Sequence, residues 1–379
     1  MDFKLRKLDL KTPKGGGPPI KGRGADWVLL AVAAFLVLFG ILMVYSASSY
    51  AAEKQYGDKF FYLKKQVLGA ALGGLAMLGT SRLPYRVYKR LNYPILIVSF
   101  ALLGVVFIPG VGVENYGARR WINLPGFTLQ ASELAKFGFV IFAAAYMSKH
   151  PERMRKFWGV LPVLGAGGAM CALIIAEPNM SITMVVCIVM LIMLFAGGMR
   201  VKHFIMAALP LAAAVPLLIV MEPYRMNRLA AFLNPWASPL GEGFQLIQSY
   251  YSLGAGGWFG LGLFNSRQKY LFLPFSESDF IFSIIGEELG FVGAAFIILA
   301  YILLIWRAAR IALRAKDRFG CYLATGIAAV LGVQVLVNLA VVTGSIPPTG
   351  LPLPFISAGS SSLIVFMAAT GVVLNISRR

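Results

Sequence analysis

Residues 273–306 read LPFSESDFIFSIIGEELGFVGAAFIILAYILLIW, a polar segment that runs directly into a long apolar run. An apolar run of this length predicts a membrane-spanning helix. Asp279 lies at the entrance to that helix, where a charged side chain is costly and is therefore a candidate functional group. The local sequence fits a helix cap equally well, because a carboxylate can accept hydrogen bonds from free N–H groups at a helix start.

Similar apolar runs recur along the whole chain, which is 58% hydrophobic with a mean hydropathy of +0.74. A membrane β-barrel would instead show alternating strands of about ten residues, and none are evident. We therefore predict an all-α polytopic membrane protein. Its ten predicted transmembrane helices cover residues 27–45, 66–80, 93–108, 134–147, 158–175, 180–198, 204–221, 280–306, 320–341 and 361–376.

The distribution of basic residues predicts how this bundle is oriented in the membrane. The chain has 35 Lys and Arg and a net charge of +19, and 24 of these cations fall in the tails and loops of one face against 10 on the other. Because cytoplasmic loops are enriched in Lys and Arg, both termini are predicted to be cytoplasmic. This distribution indicates contact with membrane lipid and not with nucleic acid. Residues 1–26 are predicted to be a disordered basic tail, and residues 27–379 a single membrane domain.

Three substantial segments are then extracytoplasmic: residues 109–133, 222–279 and 342–360. The segment 222–279, between the seventh and eighth helices, is too long for a simple connector. Within it, Phe244–Tyr251 predicts a short amphipathic helix, whose Gln245 and Gln248 are candidate substrate contacts. This loop is either a mobile lid or a fixed cap.

Cations in the outer segments suit an anionic ligand such as a diphosphate. Arg119 and Arg120 flank Trp121, and this group could equally be an interfacial anchor. Lys136 lies inside the apolar register of the fourth helix, so it needs either a wet cavity or a partner, and Glu133 is a candidate partner.

The loop 222–279 adds the candidate substrate-binding cations Arg225, Arg228, Arg267 and Lys269. A carboxylate among cations is what glycosyl transfer from a lipid diphosphate requires. The acid removes the proton of the acceptor hydroxyl, and the cations stabilise the leaving diphosphate. Asp279 is the candidate catalytic base, and no cofactor is evident, although Asp279 leaves room for a divalent cation such as Mg or Mn.

Seven motifs in order resemble the SEDS family (shape, elongation, division and sporulation). They are Gly117-Ala-Arg-Arg-Trp-Ile122, Leu129-Gln-Ala-Ser-Glu-Leu-Ala-Lys136, Arg228-Leu-Ala-Ala-Phe-Leu-Asn-Pro-Trp236, Ser266-Arg-Gln-Lys269, Asp279-Phe-Ile-Phe282, Glu287-Glu-Leu-Gly290 and Thr349-Gly-Leu-Pro-Leu-Pro-Phe-Ile-Ser357. The similarity runs from about residue 27 to the end. Two of the motifs are closer to the division and sporulation branch (FtsW, SpoVE) than to the elongation branch (RodA).

The resemblance implies a ten-helix peptidoglycan glycosyltransferase that polymerises the lipid-linked precursor lipid II at the outer face of the cytoplasmic membrane of a bacterium. It implies a class B penicillin-binding protein, a transpeptidase, as partner. The family's essential aspartate falls on Asp279, and its functional arginine and lysine fall on Arg119 or Arg120 and on Lys136. A lipid II flippase is the alternative activity.

The chain departs from the family pattern near this aspartate. The stretch that usually reads Pro-Glu-x-His-Thr-Asp is Pro274-Phe-Ser-Glu-Ser-Asp279, so a Glu and a His are absent. Glu277 is the candidate that compensates for the missing acid. Ala131 replaces the usual Pro, and Asn179 stands where an Asp is common. Ser357, which begins a variant Ser-Ala-Gly-Ser, is a further candidate substrate contact.

Overall fold

The computed structural model describes residues 24–109, 111–115, 118–124 and 127–378. Within these residues the chain is mainly helical. The α-helices are α1 Trp27–Tyr56, α2 Phe61–Arg82, α3 Arg86–Arg90, α4 Asn92–Val105, α5 Ala131–Lys149, α6 Phe157–Ala176, α7 Met180–Ala196, α8 Val201–Val220, α9 Pro223–Leu233, α10 Phe244–Gly256, α11 Ile281–Leu313, α12 Arg318–Val342 and α13 Ser360–Arg378. The predicted basic tail lies outside the described residues, apart from its last three.

Each of the ten predicted spans coincides with one of the long helices α1, α2, α4 to α8 and α11 to α13. Six of these helices, α1, α6, α8, α11, α12 and α13, are long and apolar enough to cross a membrane. The chain is therefore a polytopic helical membrane protein. The predicted amphipathic segment is also helical, as α10, and lies between α8 and α11 together with α9.

The prediction of an all-α chain missed a small antiparallel sheet. Its strands are β1 Gly112–Asn115, β2 Ala118–Leu124 and β3 Phe127–Gln130, with β2 in the centre. Trp121 pairs with Gln130, so the sheet leads directly into α5. The strands are short and rich in polar residues, so they lack the alternating apolar pattern from which a strand is predicted.

The core of the bundle is formed by α5, α7, α12 and α13, whereas α8 lies at the periphery with most of its apolar surface exposed. Small residues allow close approach where helices cross. Gly73 on α2 meets Met367 of α13, and Gly371 on α13 meets the backbone of Met77. Such contacts are the usual basis of helix association in lipid, where apolar burial gives little driving force between helices.

A break within α11 holds a segment of the loop 222–279, residues 257–270, which we call the docked segment. Gly290 has φ 67° and ψ −169°, so the helix is interrupted there. The N–H of Phe291, which no longer has a helical partner, donates to the carbonyl of Gly257 at 2.9 Å. The docked segment thus satisfies backbone groups that the break leaves free, as a low-dielectric environment requires.

Two buried carboxylates of α11 complete this attachment. Glu287 accepts hydrogen bonds from Ser266 Oγ at 2.5 Å and from the N–H of Arg267 at 2.9 Å. Glu288 accepts from Ser46 Oγ at 2.6 Å and forms an ion pair with Lys269 at 3.1 Å. A buried charge is tolerated only when it is paired and hydrogen-bonded. The two glutamates therefore fasten the loop 222–279 to α11.

Gly290→Ala should destabilise the protein. The positive φ disfavours a side chain, and an added Cβ would lie 2.3 Å from the backbone nitrogen of Gly260. We expect a loss of at least about 1–3 kcal/mol, the usual size of backbone strain. Thermal unfolding in detergent and limited proteolysis of the docked segment would measure it. The control is Gly165→Ala, since Gly165 on α6 has no atom near its Cβ position. Equal stability of both variants would contradict this account.

Candidate functional site

Asp279 lies between the docked segment and α11, and its side chain does not cap the helix. The N-cap residue of α11 is Phe280, which has no capping side chain. One oxygen of Asp279, Oδ1, accepts a hydrogen bond from Ser278 Oγ at 2.9 Å. Its backbone carbonyl accepts from Asn338 Nδ2 of α12 at 2.8 Å. The backbone is therefore fixed while the carboxylate keeps free lone pairs, which favours the functional interpretation over the cap.

The loop between α12 and α13, residues 343–359, closes around this carboxylate. Gly350 has φ +72°, and a Cβ added there would lie 3.2 Å from Asp279 Oδ2, so the loop backbone passes directly beside the acid. Ser357 Oγ donates to the carbonyl of Ser278 at 2.6 Å and accepts from the N–H of Leu353 at 2.8 Å. Ser357 thus positions the residue before Asp279.

Two arginines face Asp279 from other parts of the chain. Arg120 on β2 donates from Nε to the carbonyl of Glu177 at 3.1 Å and from Nη2 to that of Pro178. Arg228 on α9 donates to the carbonyl of Pro348 at 3.1 Å. Its guanidinium lies 4.6 Å from the ring centroid of Tyr224. Both arginines bond to neutral acceptors, so their charge is available to an anion.

The electrostatics of Asp279 suit proton transfer. Burial raises the pKa of Asp279, and the hydrogen bond from Ser278 and the charges of Arg228 and Arg120 oppose that shift. Burial also raises the pKa of the neighbouring Glu277. A carboxylate with a raised pKa is a stronger base than an ordinary aspartate. The arrangement provides a base and two cations within one small region.

Lys136 belongs to a separate buried network. Its ammonium donates to Glu133 Oε1 at 2.8 Å and to Gln334 Oε1 at 2.6 Å, and lies 5.3 Å from the ring centroid of Phe366. Ser362 donates to the other oxygen of Glu133 at 3.1 Å. Only 1% of the lysine side chain is exposed, and Glu133 is the partner that a charge among apolar residues requires.

The remaining candidates are spread over the outer loop. Lys269 is buried and paired with Glu288, so in this structure it fastens the docked segment. Arg267 is exposed, and Arg225 is partly buried and donates to the carbonyl of Leu218. Other partly buried candidates are Gln245, which donates to the carbonyl of Pro274 at 3.3 Å, Gln248 on α10, and Glu277. The side chain of Arg119 lies outside the described residues.

Several residues near the site were not among the candidates predicted from the sequence. Tyr224 supports Arg228, Asn338 fixes the backbone of Asp279, and Gly350 leaves room for its carboxylate. Asn338 is a polar residue in an apolar helix and could have been suspected on that ground. Gly350 lies in the motif Thr349–Ser357, whereas Tyr224 has no distinctive spacing.

Comparison with known proteins places this arrangement in a family. The family model described as "Cell cycle protein", which covers FtsW, RodA and SpoVE, matches residues 26–379. The chain belongs to the FtsW/RodA/SpoVE family. The chain is 42% identical over 357 residues to a probable peptidoglycan glycosyltransferase FtsW of Geobacter sp. (strain M18), covering 94% of this chain and 97% of that one. It is 40% identical to the stage V sporulation protein E of Bacillus subtilis (strain 168), covering 94% and 98%.

Solved structures of FtsW/RodA/SpoVE-type chains have the same fold. A chain of a peptidoglycan synthase complex that coordinates polymerization and crosslinking superimposes with a TM-score of 0.77 at 32% identity, covering 93% of this chain and 98% of that one. The rod shape determining protein RodA of Thermus thermophilus gives a TM-score of 0.66 at 27% identity, covering 93% and 97%.

Removing Lys136 should destabilise this FtsW/RodA/SpoVE-family chain. Lys136→Met leaves Glu133 buried without its cation, which usually costs about 3–5 kcal/mol. Adding Glu133→Gln should restore most of that loss, because the stranded charge is then gone. Thermal unfolding of the two single variants and the double variant, compared as a double-mutant cycle, measures the coupling. Additive effects would show that the pair is not the main role of Lys136.

Proposed function

We propose that this chain is a peptidoglycan glycosyltransferase that polymerises lipid II into glycan strands. The observation that carries the proposal is the placement of Asp279 beside Arg120 and Arg228, which come from three distant parts of the sequence. The high-coverage relatives with the name peptidoglycan glycosyltransferase support the same activity. The chain would serve division, cell shape or sporulation.

The reaction belongs at the outer face of the cytoplasmic membrane. The ten long helices fit ten spans, with both termini in the cytoplasm and residues 222–279 outside. Asp279, Arg120 and Arg228 all lie in segments that this topology places outside. Lipid II would keep its lipid in the membrane while its diphosphate and sugars reach these residues.

In the proposed step Asp279 accepts the proton of the acceptor hydroxyl. The acceptor oxygen forms a bond with the anomeric carbon of the donor sugar. The bond from that carbon to the diphosphate breaks, and the diphosphate leaves with the electron pair. Arg120 and Arg228 stabilise the negative charge that develops on the leaving group.

A divalent cation, Mg or Mn, is compatible with this site but has few protein ligands there. Among the described residues, no group of three or more His, Cys, Asp or Glu side chains is gathered. Asp279 together with the substrate's diphosphate would hold the ion, a mode that Mg²⁺ commonly uses. When bound, the ion would supply further charge stabilisation for the leaving diphosphate.

A class B penicillin-binding protein is the proposed partner, since crosslinking must follow polymerisation. The similarity to a chain of a peptidoglycan synthase complex supports this pairing. The alternative activity, lipid II flipping, would need polar groups along the whole path of the headgroup. The buried acids of α11, Glu287 and Glu288, already hold the docked segment, which favours the transferase.

Asp279→Asn should reduce polymerisation by about 10²- to 10⁴-fold, because the amide cannot accept the proton. The assay is purified protein, with and without the partner, incubated with lipid II and analysed for glycan chains and for transbilayer movement. Asp58→Asn is the matched control, since Asp58 is an exposed acid in the outer α1–α2 loop. A folded Asp279→Asn variant that polymerises normally would contradict the role of the base. Transbilayer movement without chains would support the flippase instead.

Arg120 and Arg119 should respond differently to substitution. Arg120 faces Asp279 and keeps its charge for the diphosphate, so Arg120→Gln should lower polymerisation by about 10²-fold or more. Arg119→Gln is the adjacent control and should have a much smaller effect. Rates at several lipid II concentrations separate binding from turnover. The opposite order of effects would assign the anion site to Arg119.

A further inference from the structure

Glu177 is a buried acid near the site. The proposed reaction gives this residue no role. It is the C-cap residue of α6, directly before Pro178 and the start of α7. Its exposed fraction is 1%, and neither carboxyl oxygen has a hydrogen-bond partner among the described residues. A buried carboxylate without donors is costly, whereas the neutral acid is tolerated far better.

The surroundings of Glu177 disfavour its negative charge. Glu177 lies between the carbonyl end of α6 and the N–H end of α7, whose partial charges act on an anion in opposite directions, so burial without a hydrogen-bond donor is what disfavours the charge. Burial raises the pKa of Glu177 to about 8, and the nearby charge of Arg120 only partly opposes the shift. At neutral pH most of the population therefore holds a proton on this carboxyl.

Arg120 is attached to the backbone of this turn and not to the carboxylate. Its guanidinium donates to the carbonyl oxygens of Glu177 and Pro178. These neutral acceptors orient the group without cancelling its charge. If Glu177 were ionised, its carboxylate would compete with a diphosphate for the guanidinium of Arg120. A guanidinium binds carboxylates and phosphates through the same fork of donors.

We propose that Glu177 is a positioning residue which, as the neutral acid, leaves the charge of Arg120 available to a diphosphate, and that loss of its proton turns this anion site off. The proposal rests on the proposed function, because lipid II supplies the diphosphate. It adds to that function a control of substrate affinity by a residue that does not take part in the chemistry.

The elements that pack around this turn carry other titratable groups. Arg120 on β2 acts on Glu177 directly. Tyr224 and Arg228 on α9, and Asp279 before α11, act on Arg120. The loop 343–359, which Ser181 contacts through its hydroxyl, contains no titratable residue. Glu177 is the acid of this group with a pKa near 8.

The two acids should limit activity at opposite ends of the pH range. Asp279 must be ionised to act as a base, so its protonation lowers kcat on the acid side. Glu177 must be protonated, so KM for lipid II should rise on the alkaline side, by about tenfold per pH unit above the pKa near 8 for loss of one proton. A KM effect and a kcat effect are separable in one data set.

The test is the pH profile of polymerisation by the full chain with Glu177→Gln. Glutamine mimics the neutral acid, so activity at neutral pH should stay within about twofold of wild type while the alkaline rise in KM disappears. Glu242→Gln, at an exposed acid of the outer loop, should keep the wild-type profile. An alkaline rise that persists in Glu177→Gln, or is absent from wild type, would overturn the proposal.

A spectroscopic measurement covers the case in which Glu177→Gln does not fold. The infrared carbonyl band of a protonated carboxyl should be present in wild type at neutral pH, lose about half of its intensity near pH 8, and shift in Glu177→Asp. Absence of a band sensitive to this substitution would overturn the proposal. A wild-type protein that forms no glycan chains from lipid II contradicts the proposed function instead, and the infrared titration still decides the state of Glu177.

Discussion

The attachment of the docked segment to α11 is the constraint on which the site depends. The break at Gly290 leaves backbone N–H groups of the helix without partners, and the carbonyl of Gly257 accepts one of them. Glu287 and Glu288 then take hydrogen bonds from the same segment. Because unsatisfied polar groups are so costly in an apolar environment, these bonds hold the chain firmly. The segment leads to Asp279, so its attachment sets where the acid enters the site.

The rest of the site is assembled by loops that contact one another through backbone carbonyls. The loop 343–359 accepts from Arg228 through Pro348 and passes Asp279 at Gly350. The turn between α6 and α7 accepts from Arg120. Carbonyl acceptors orient guanidinium groups without neutralising them, which is what an anion-binding site requires. The bundle thus presents two cations near a carboxylate at one end.

Buried charge has two different uses in this protein. The pairs Lys136–Glu133 and Lys269–Glu288 are closed, since each charge has its counter-charge and further hydrogen bonds. The group around Asp279 is open, because Arg120 and Arg228 bond to neutral atoms and Asp279 keeps free lone pairs. Paired charges hold a fold together, whereas unneutralised ones are available to a ligand. This contrast distinguishes cations that a buried acid neutralises from cations that bond only to neutral atoms, among residues that the sequence could only group as candidates.

The sequence by itself determined that the chain is a polytopic helical membrane protein, because apolar runs of about 20 residues report directly on membrane-spanning helices. It also marked Asp279, since a charge at a membrane boundary is conspicuous. The tertiary structure decided which cations accompany it. Arg120 and Arg228 lie 159 and 51 residues before Asp279 in the chain, and Glu177 lies 102 before it. No periodicity relates such positions, because their proximity depends on how β2, α9 and the α6–α7 turn pack over the bundle.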